Sequence, residues 1–387
     1  MFSIAHYAQT NYYIIDTAGI NISKLDDGDK QLLDSILPLA NNASHDSILI
    51  KYIGFLAENC WDETLWPRYN QKLIEIADRN LTKEYNKTFV SYKASAISNV
   101  GFLFDSQGKT VLAIENYKAA LGLFEKIGDK KGTSSPINNL GKAYYNLGDV
   151  EKALSYYLKA LKIREDFDEE EKTIVVNNNI ATVYQDQGED SISEFYYWKA
   201  LRTSLKYNNK HVQGITHHQI GKIFYRKNKI DSALVYYKIS YQLRKEIGQK
   251  QGMSESLHSM GALYTESDRE DEAFAAYNLS LRILEGTNYL DGFISAKSGL
   301  ASLYLQRGEK GKALILAESA FEYSQKIGFP EVIKSTSKLL SEVYTEVGKF
   351  EKALNMYKLS LQMKDNLVNL DNKKSVYKQQ VDFNFQQ

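Results

Sequence analysis

Residues 138–161 read NNLGKAYYNLGDVEKALSYYLKAL. Leu140 and Tyr144 lie four apart, as do Ala153 and Tyr157, so each half of the stretch carries an apolar stripe along one helical face. Between the halves, Gly148 and Asp149 break the helix and restart it. Glycine suits the left-handed C-terminal position, and the acid suits the next N-terminus. The stretch therefore predicts a helical hairpin.

The hairpin recurs. Stepping by 40 from Gly141 meets Gly101, Ala181, Gly221, Gly261, Ala301 and Ser341, all small. Three residues after each anchor comes an aromatic: Phe104, Tyr144, Tyr184, Phe224, Tyr264, Tyr304 and Tyr344. Twelve after it the residue is Ala or Ser, and nineteen after it again Ala or Ser. Sixteen after it stand Tyr117, Tyr157, Tyr197, Tyr237, Tyr277, Ala317 and Tyr357. A small anchor lets a neighbouring helix approach closely, and an aromatic fills the gap beside it. One hairpin cannot bury both faces, whereas stacked hairpins can, so units of this kind come in arrays. Tyr184 is expected to be buried between its own hairpin and the next.

Composition agrees with an all-α chain. Of 387 residues only 4 are proline, against 28 tyrosines, so helix breakers are scarce while one aromatic position repeats. The 48 basic and 48 acidic side chains cancel, which gives no general attraction to nucleic acid or anionic lipid. A single cysteine, Cys60, excludes an internal disulfide framework and a cysteine zinc cluster. No apolar run reaches the roughly 18–20 residues of a membrane span.

The pattern resembles the tetratricopeptide repeat family, whose signature pairs a small residue with an aromatic on helix A and places Ala, Tyr and Ala on helix B. The resemblance runs from Glu84 to about Lys364. It departs from the usual 34-residue repeat by six residues, and the family's closing proline is absent from every row. It implies a right-handed superhelical solenoid of seven repeats over residues 84–368. Residues 25–83 read as two or three helices, a degenerate repeat capping the open face, in which Trp61 and Trp66 pack. Residues 369–387 read as a C-terminal helix or coiled-coil entry through Leu370, Tyr377 and Val381, suited to dimerisation. In residues 1–24, the start MFSIAHYAQ reads either as a frayed terminus or as the tail of a secretion signal cleaved after Ala8. The second reading places the chain in the periplasm or outside the cell, the first in the cytoplasm. The wording of the repeats also resembles the sensor regions of bacterial membrane kinases and transcription regulators.

Catalytic motifs are missing: there is no G-x-x-x-x-G-K-[ST] loop, no G-x-S-x-G elbow and no H-E-x-x-H pair. The expectation is a non-enzymatic protein without cofactor. His218 and His258 share a repeat position, but a zinc site needs a third ligand and no carboxylate shares their column, so no metal is expected. With the anchor as position 8, positions 2, 5, 9 and 12 share one face of helix A, bordered by 6 and 13. In the family that face lines the concave groove. The candidate groove residues are Asn138, Lys142, Asn146, Asn178, His218, Lys222, Arg226 and His258. Asparagine is a mediocre helix former, so its recurrence wants a reason. Either the amides bond neighbouring helices, or they form a ladder for the backbone of an extended peptide. Lys142, Lys222 and Arg226 sit mid-array and Glu255, Glu266, Glu342 and Glu346 toward the C-terminus, which suits a ligand with a central acidic group. The expected partner is thus a protein or extended peptide segment, not nucleic acid.

Overall fold

The computed structural model describes residues 12–22, 25, 27–60 and 62–384. The segment 1–9 and Trp61 lie outside them, so the secretion-signal reading and half of the tryptophan reading find no counterpart here. From Asp27 on, the described residues form seventeen helices and no strand. Three come first: α1 (Asp27–Asn41), α2 (Asp46–Asn59) and α3 (Trp66–Leu81). Seven antiparallel pairs follow: α4 (Lys87–Ser106) with α5 (Thr110–Ile127), α6 (Ser134–Asn146) with α7 (Val150–Asp166), α8 (Glu170–Asp186) with α9 (Asp190–Lys206), α10 (Lys210–Arg226) with α11 (Ile230–Glu246), α12 (Lys250–Glu266) with α13 (Glu270–Leu284), α14 (Leu290–Gln306) with α15 (Lys310–Ile327), and α16 (Pro330–Glu346) with α17 (Phe350–Asn384). Cα packing groups the chain into two compact units, one running to Glu169 together with the segment from Tyr377, the other Glu170–Val376.

Local chemistry explains the hairpins. At the α6–α7 turn Gly148 takes φ 77°, Asp149 N–H donates to Tyr144 O at 2.9 Å, and the Asp149 carboxylate accepts from Lys152 N–H at 3.3 Å. The glycine thus closes one helix in the left-handed region and the acid caps the next. Asn228 and Asp268 hold the same turn position at φ 56° and 54°, the two non-glycine types that tolerate it best.

Within the first unit, Leu37, Ile50, Ile53, Leu56, Tyr69 and Leu73 form the core of α1–α3, with Phe89 of α4 joining it. Trp66 is buried there and its indole N–H donates to Ala57 O at 2.8 Å. Along the repeats the column sixteen after the anchor holds five buried tyrosines: Tyr117, Tyr157, Tyr197, Tyr237 and Tyr277 are at most 3% exposed, whereas Tyr357 in the last pair is 51% exposed. A Cβ built at Gly101, Gly141, Gly221 or Gly261 would stand 2.6–2.8 Å from the ring in its own hairpin. The anchor is small because a tyrosine lies against it.

Tyr184 differs from expectation. It is only partly buried and stacks parallel to Tyr196 at 6.1 Å between centroids. Tyr144 and Tyr156 do the same at 5.4 Å, and Phe224 and Tyr236 at 5.0 Å. In these three hairpins the aromatic three after the anchor pairs with the B helix of its own hairpin, while Tyr304 meets Phe274 of the hairpin before it; the column at sixteen fills the space against the glycine anchors. The B helix of the last pair continues without a break to Asn384. Its outer face leaves Phe350, Leu354, Tyr357, Leu361 and Val368 between 45% and 69% exposed.

Candidate functional site

Helices α10, α12 and α14 of the second unit border an open polar cavity of about 500 Å³. His218, Gln219 and Lys222 face it from α10, Ser254, Glu255, His258 and Ser259 from α12, and Gly292 and Ser295 from α14. His218, Gln219, Lys222, Glu255, His258, Ser259 and Ser295 stand at positions 2, 5, 6 or 9 of their A helices, whereas Ser254 and Gly292 lie outside the positions read from the sequence. A second hollow of about 340 Å³ shares His258 and Ser295 and continues past Ser298 and Ser302 to Ser335 of α16. Serine and glycine dominate this stretch, which leaves backbone and hydroxyl groups near the surface.

Two residues that sequence reading missed shape the cavity. Arg244, from the end of α11, is buried, and its Nη1 donates to Gly252 O at 2.6 Å and Ser256 Oγ at 3.2 Å. The same nitrogen is 3.1 Å from the Glu255 carboxylate. A Cβ at Gly252 would lie 2.7 Å from Arg244 Cδ and Nε, and one at Gly214 3.0 Å from Cγ, so the two glycines open the slot that the side chain fills. Tyr289 OH donates to the other oxygen of Glu255 at 3.3 Å. Burial, with the charge of Glu255 beside it, pushes the Tyr289 phenol up to about 12.

His218 and His258 lean on Tyr237 and Tyr277, with ring centroids 5.0 and 6.0 Å apart. Each Nδ1 is enclosed and has no hydrogen-bond partner among the described residues. Burial, reinforced by Arg244, Lys222 and His258, drives the His218 imidazolium down to about 3, and burial lowers His258 too. Both rings are neutral near pH 7. The Lys222 ammonium is also lowered, first by desolvation against the groove walls; Glu255 and Asp186 oppose this, and Arg244 and Arg226 add to it. Among the described residues no group of three or more His, Cys, Asp or Glu side chains is placed to hold a metal ion.

The other candidate residues are engaged elsewhere. Asn178 is buried; its Nδ2 donates to Ile174 O at 3.3 Å and its Oδ1 accepts from Thr216 Oγ1 at 3.0 Å. Asn138 is buried in the first unit and donates to Asn139 Oδ1 at 3.3 Å. Lys142 and Asn146 both turn to Asp105, at 3.8 and 3.1 Å. Arg226 donates to Gln185 O at 2.9 Å and pairs with Asp190. Of the eight, the cavity brings together His218, Lys222 and His258. Toward the C-terminus, Glu266 accepts from Tyr225 OH at 2.6 Å and Glu346 pairs with Lys310 at 3.0 Å.

The family model described as Tetratricopeptide repeat matches residues 92–166 and 135–206. The chain carries tetratricopeptide repeats. Its tetratricopeptide-repeat fold is similar to that of the quorum sensor NprR from B. thuringiensis in its apo form, at 16% identity over 94% of this chain and 98% of that one, TM-score 0.65. It is also similar to a Rap protein complexed with competence and sporulation factor, at 15% identity over 95% and 97%, TM-score 0.62. A third likeness is to a signal transduction ATPase with numerous domains and a tetratricopeptide repeat sensor, from Pyrococcus horikoshii, at 16% identity over 80% and 54%, TM-score 0.59. At these identities the likeness is one of fold. A search of the curated proteins finds no match. No helix among the described residues is long and apolar enough to cross a membrane.

Proposed function

We propose that this tetratricopeptide-repeat chain is a non-catalytic module that binds a peptide or protein segment, serving as the sensory part of a bacterial signal-transduction protein. The observation that carries the reading is the pair of adjoining hollows on the A-helix face of the second unit, which share His258 and Ser295 and are walled by groups suited to an extended backbone. Serine hydroxyls, glutamine and neutral imidazole can each donate or accept, which matches the alternating N–H and C=O of a peptide. Likeness to a quorum sensor and to a Rap protein solved with competence and sporulation factor supports the same reading. The alternative within this class is a stand-alone cytoplasmic adaptor or peptide-pheromone receptor. An extracytoplasmic location rests on residues 1–8, and fractionation of cells expressing the full-length protein decides it. A dimer through α17 is part of the proposal, supported by the exposed apolar stripe from Phe350 to Val368.

The test is direct. Purified chain is offered an array of tethered random peptides, alongside a Ser295→Trp variant that fills the junction of the two hollows. Sequence-selective retention by the parent, lost in the variant while melting stays within a few degrees, is the expected result. Equal retention by both proteins would place binding elsewhere, and no selective retention by the parent would remove the function.

A further inference from the structure

We propose that the outer face of α9 and α11 is a docking surface for an amphipathic helix of a partner protein, one whose apolar stripe is flanked by acidic side chains. The surface lies on B helices, and none of its residues lines the groove. It begins with apolar side chains turned to solvent. Phe195 and Trp198 of α9 and Val235 and Ile239 of α11 are between 37% and 63% exposed. Trp198 meets Tyr236 of α11 edge to face at 6.2 Å, so the two helices present one patch. The repeat itself does not require it. Fourteen after the anchor, where Phe195 and Val235 stand, four of the other five rows are polar or small, namely Glu115, Ser155, Ala275 and Asn355, and only Ile315 is large and apolar. Contiguous exposed apolar surface marks an interaction site, and tryptophan, tyrosine and arginine carry much of the energy of protein interfaces.

Charge selects the partner. Arg202 lies two turns from Phe195 on the same face of α9, and Lys238 one turn from Val235 on α11. Among the described residues neither enters an ion pair or a hydrogen bond. The acid near Arg202, Glu170, is engaged by Lys206, and the acid near Lys238, Glu272, by Arg269. The acids of the two helices are also taken up: Asp190 pairs with Arg226, Glu194 with Lys227 and Glu246 with Lys210, while Asp231 stands in the first turn of α11 near Arg269. Lys199 has a partner of its own. The cations left over favour acidic residues beside the partner's apolar stripe. They also disfavour a second copy, because a twofold pairing of the patch would bring two sets of these cations together. Backbone chemistry selects a helix. The B helices use their own N–H and C=O groups, so an extended segment would find no edge to pair with and would lay its polar backbone on Phe195 and Trp198. A helix satisfies its own backbone and sets side chains spaced i, i+3, i+4 and i+7 against the patch.

The probes are labelled synthetic peptides of about 18 residues, roughly five helical turns, that share one stripe of leucine and phenylalanine. The stripe is flanked by Glu, by Gln or by Lys, and a further version of the Glu peptide carries a central proline. Fluorescence anisotropy on the full chain is expected to rank them Glu over Gln over Lys, the Glu peptide binding about tenfold or more tighter than the Lys peptide, with the proline version unbound. Phe195→Ser with Trp198→Ser should weaken the Glu peptide about tenfold or more while melting shifts by only a few degrees, since both side chains already face solvent. Arg202→Glu with Lys238→Glu leaves the apolar patch alone and should reverse the ranking, and added salt should narrow it in the parent. A Glu peptide that fails to bind, binds equally well with its proline, or binds equally to the Phe195/Trp198 variant overturns the helix site. An unchanged ranking in the Arg202/Lys238 variant overturns the acidic partner. Retention on phosphatidylserine vesicles, or self-association by light scattering, that disappears in the Phe195/Trp198 variant would give the patch to lipid or to a second copy, and either result overturns the proposal.

Discussion

Gly141 and Tyr157 offer the sharpest test of why the repeat has a small anchor. A Cβ built on Gly141 would sit 2.7 Å from Cδ1 and Cε1 of Tyr157, a ring 2% exposed. To restore an ordinary contact of about 3.5 Å the ring must retreat by roughly 0.8 Å in a close-packed interior. Such overpacking costs about 1–3 kcal/mol. Replacing glycine by alanine inside a helix returns about 1 kcal/mol. Gly141→Ala should therefore destabilise by roughly 0–2 kcal/mol net. Tyr157→Ala alone should cost about 3–5 kcal/mol through lost burial and a cavity. In that background the clash is gone, so adding Gly141→Ala should stabilise by about 1 kcal/mol. The coupling in the double-mutant cycle is then the overpacking itself, about 1–3 kcal/mol. The molecule contains both outcomes: Ala181 shares a core cluster with Tyr197, and Ala301 shares one with Ala317. Urea titrations followed by circular dichroism measure the four proteins, comparing slopes as well as midpoints because repeat arrays need not unfold as one unit. Equal stabilisation by Gly141→Ala in both backgrounds, with no coupling, would refute the reasoning.

Three further expectations follow from particular contacts. Asn178→Ala leaves Thr216, which is fully buried, without its amide partner and should lower stability by about 1–3 kcal/mol, read from the urea midpoint; an unchanged midpoint would return the amide to the groove. His218 stands near 3 in the fold against about 6.5 unfolded, so the unfolded state binds the extra proton between these values. Its contribution to stability is complete above pH 6.5 and is lost as pH falls toward 3, with a slope approaching 1.4 kcal/mol per pH unit. His218→Gln should flatten that acid limb, and an identical limb would show that other groups set it. For the α17 stripe, Leu354→Glu with Leu361→Glu should convert a dimer to monomer by light scattering at unchanged helicity; a parent that is already monomeric would end that proposal.

The repeat was legible because its signals are local and periodic. A glycine or a short polar residue at each turn, a small residue at each anchor and, in six of the seven rows, a tyrosine sixteen later are set by backbone geometry and by packing within one hairpin, so the 40-residue register carries them directly. Helical spacing likewise put His218, Lys222 and His258 on one face of the A helices, and the three line one cavity. What the register could not decide was which polar side chains on that face are free. Asn178 is consumed by Thr216, Arg226 by Gln185 and Asp190, and Lys142 and Asn146 by Asp105, each partner 36 to 41 residues away on a neighbouring hairpin. Whether such groups meet depends on side-chain rotamers and on the offset between hairpins, both set when the array packs. Arg244 shows the limit most clearly. It stands on helix B, in the repeat position that Phe124 and Leu284 occupy as core residues, and it reaches the cavity because Gly214 and Gly252 leave a slot. An arginine in a core column with glycines on the two helices beside it was the available signal. Its meaning came from tertiary packing, because a buried cation is tolerated where Glu255 and the Gly252 carbonyl converge on it, and that convergence joins α11 to α12 of the next hairpin.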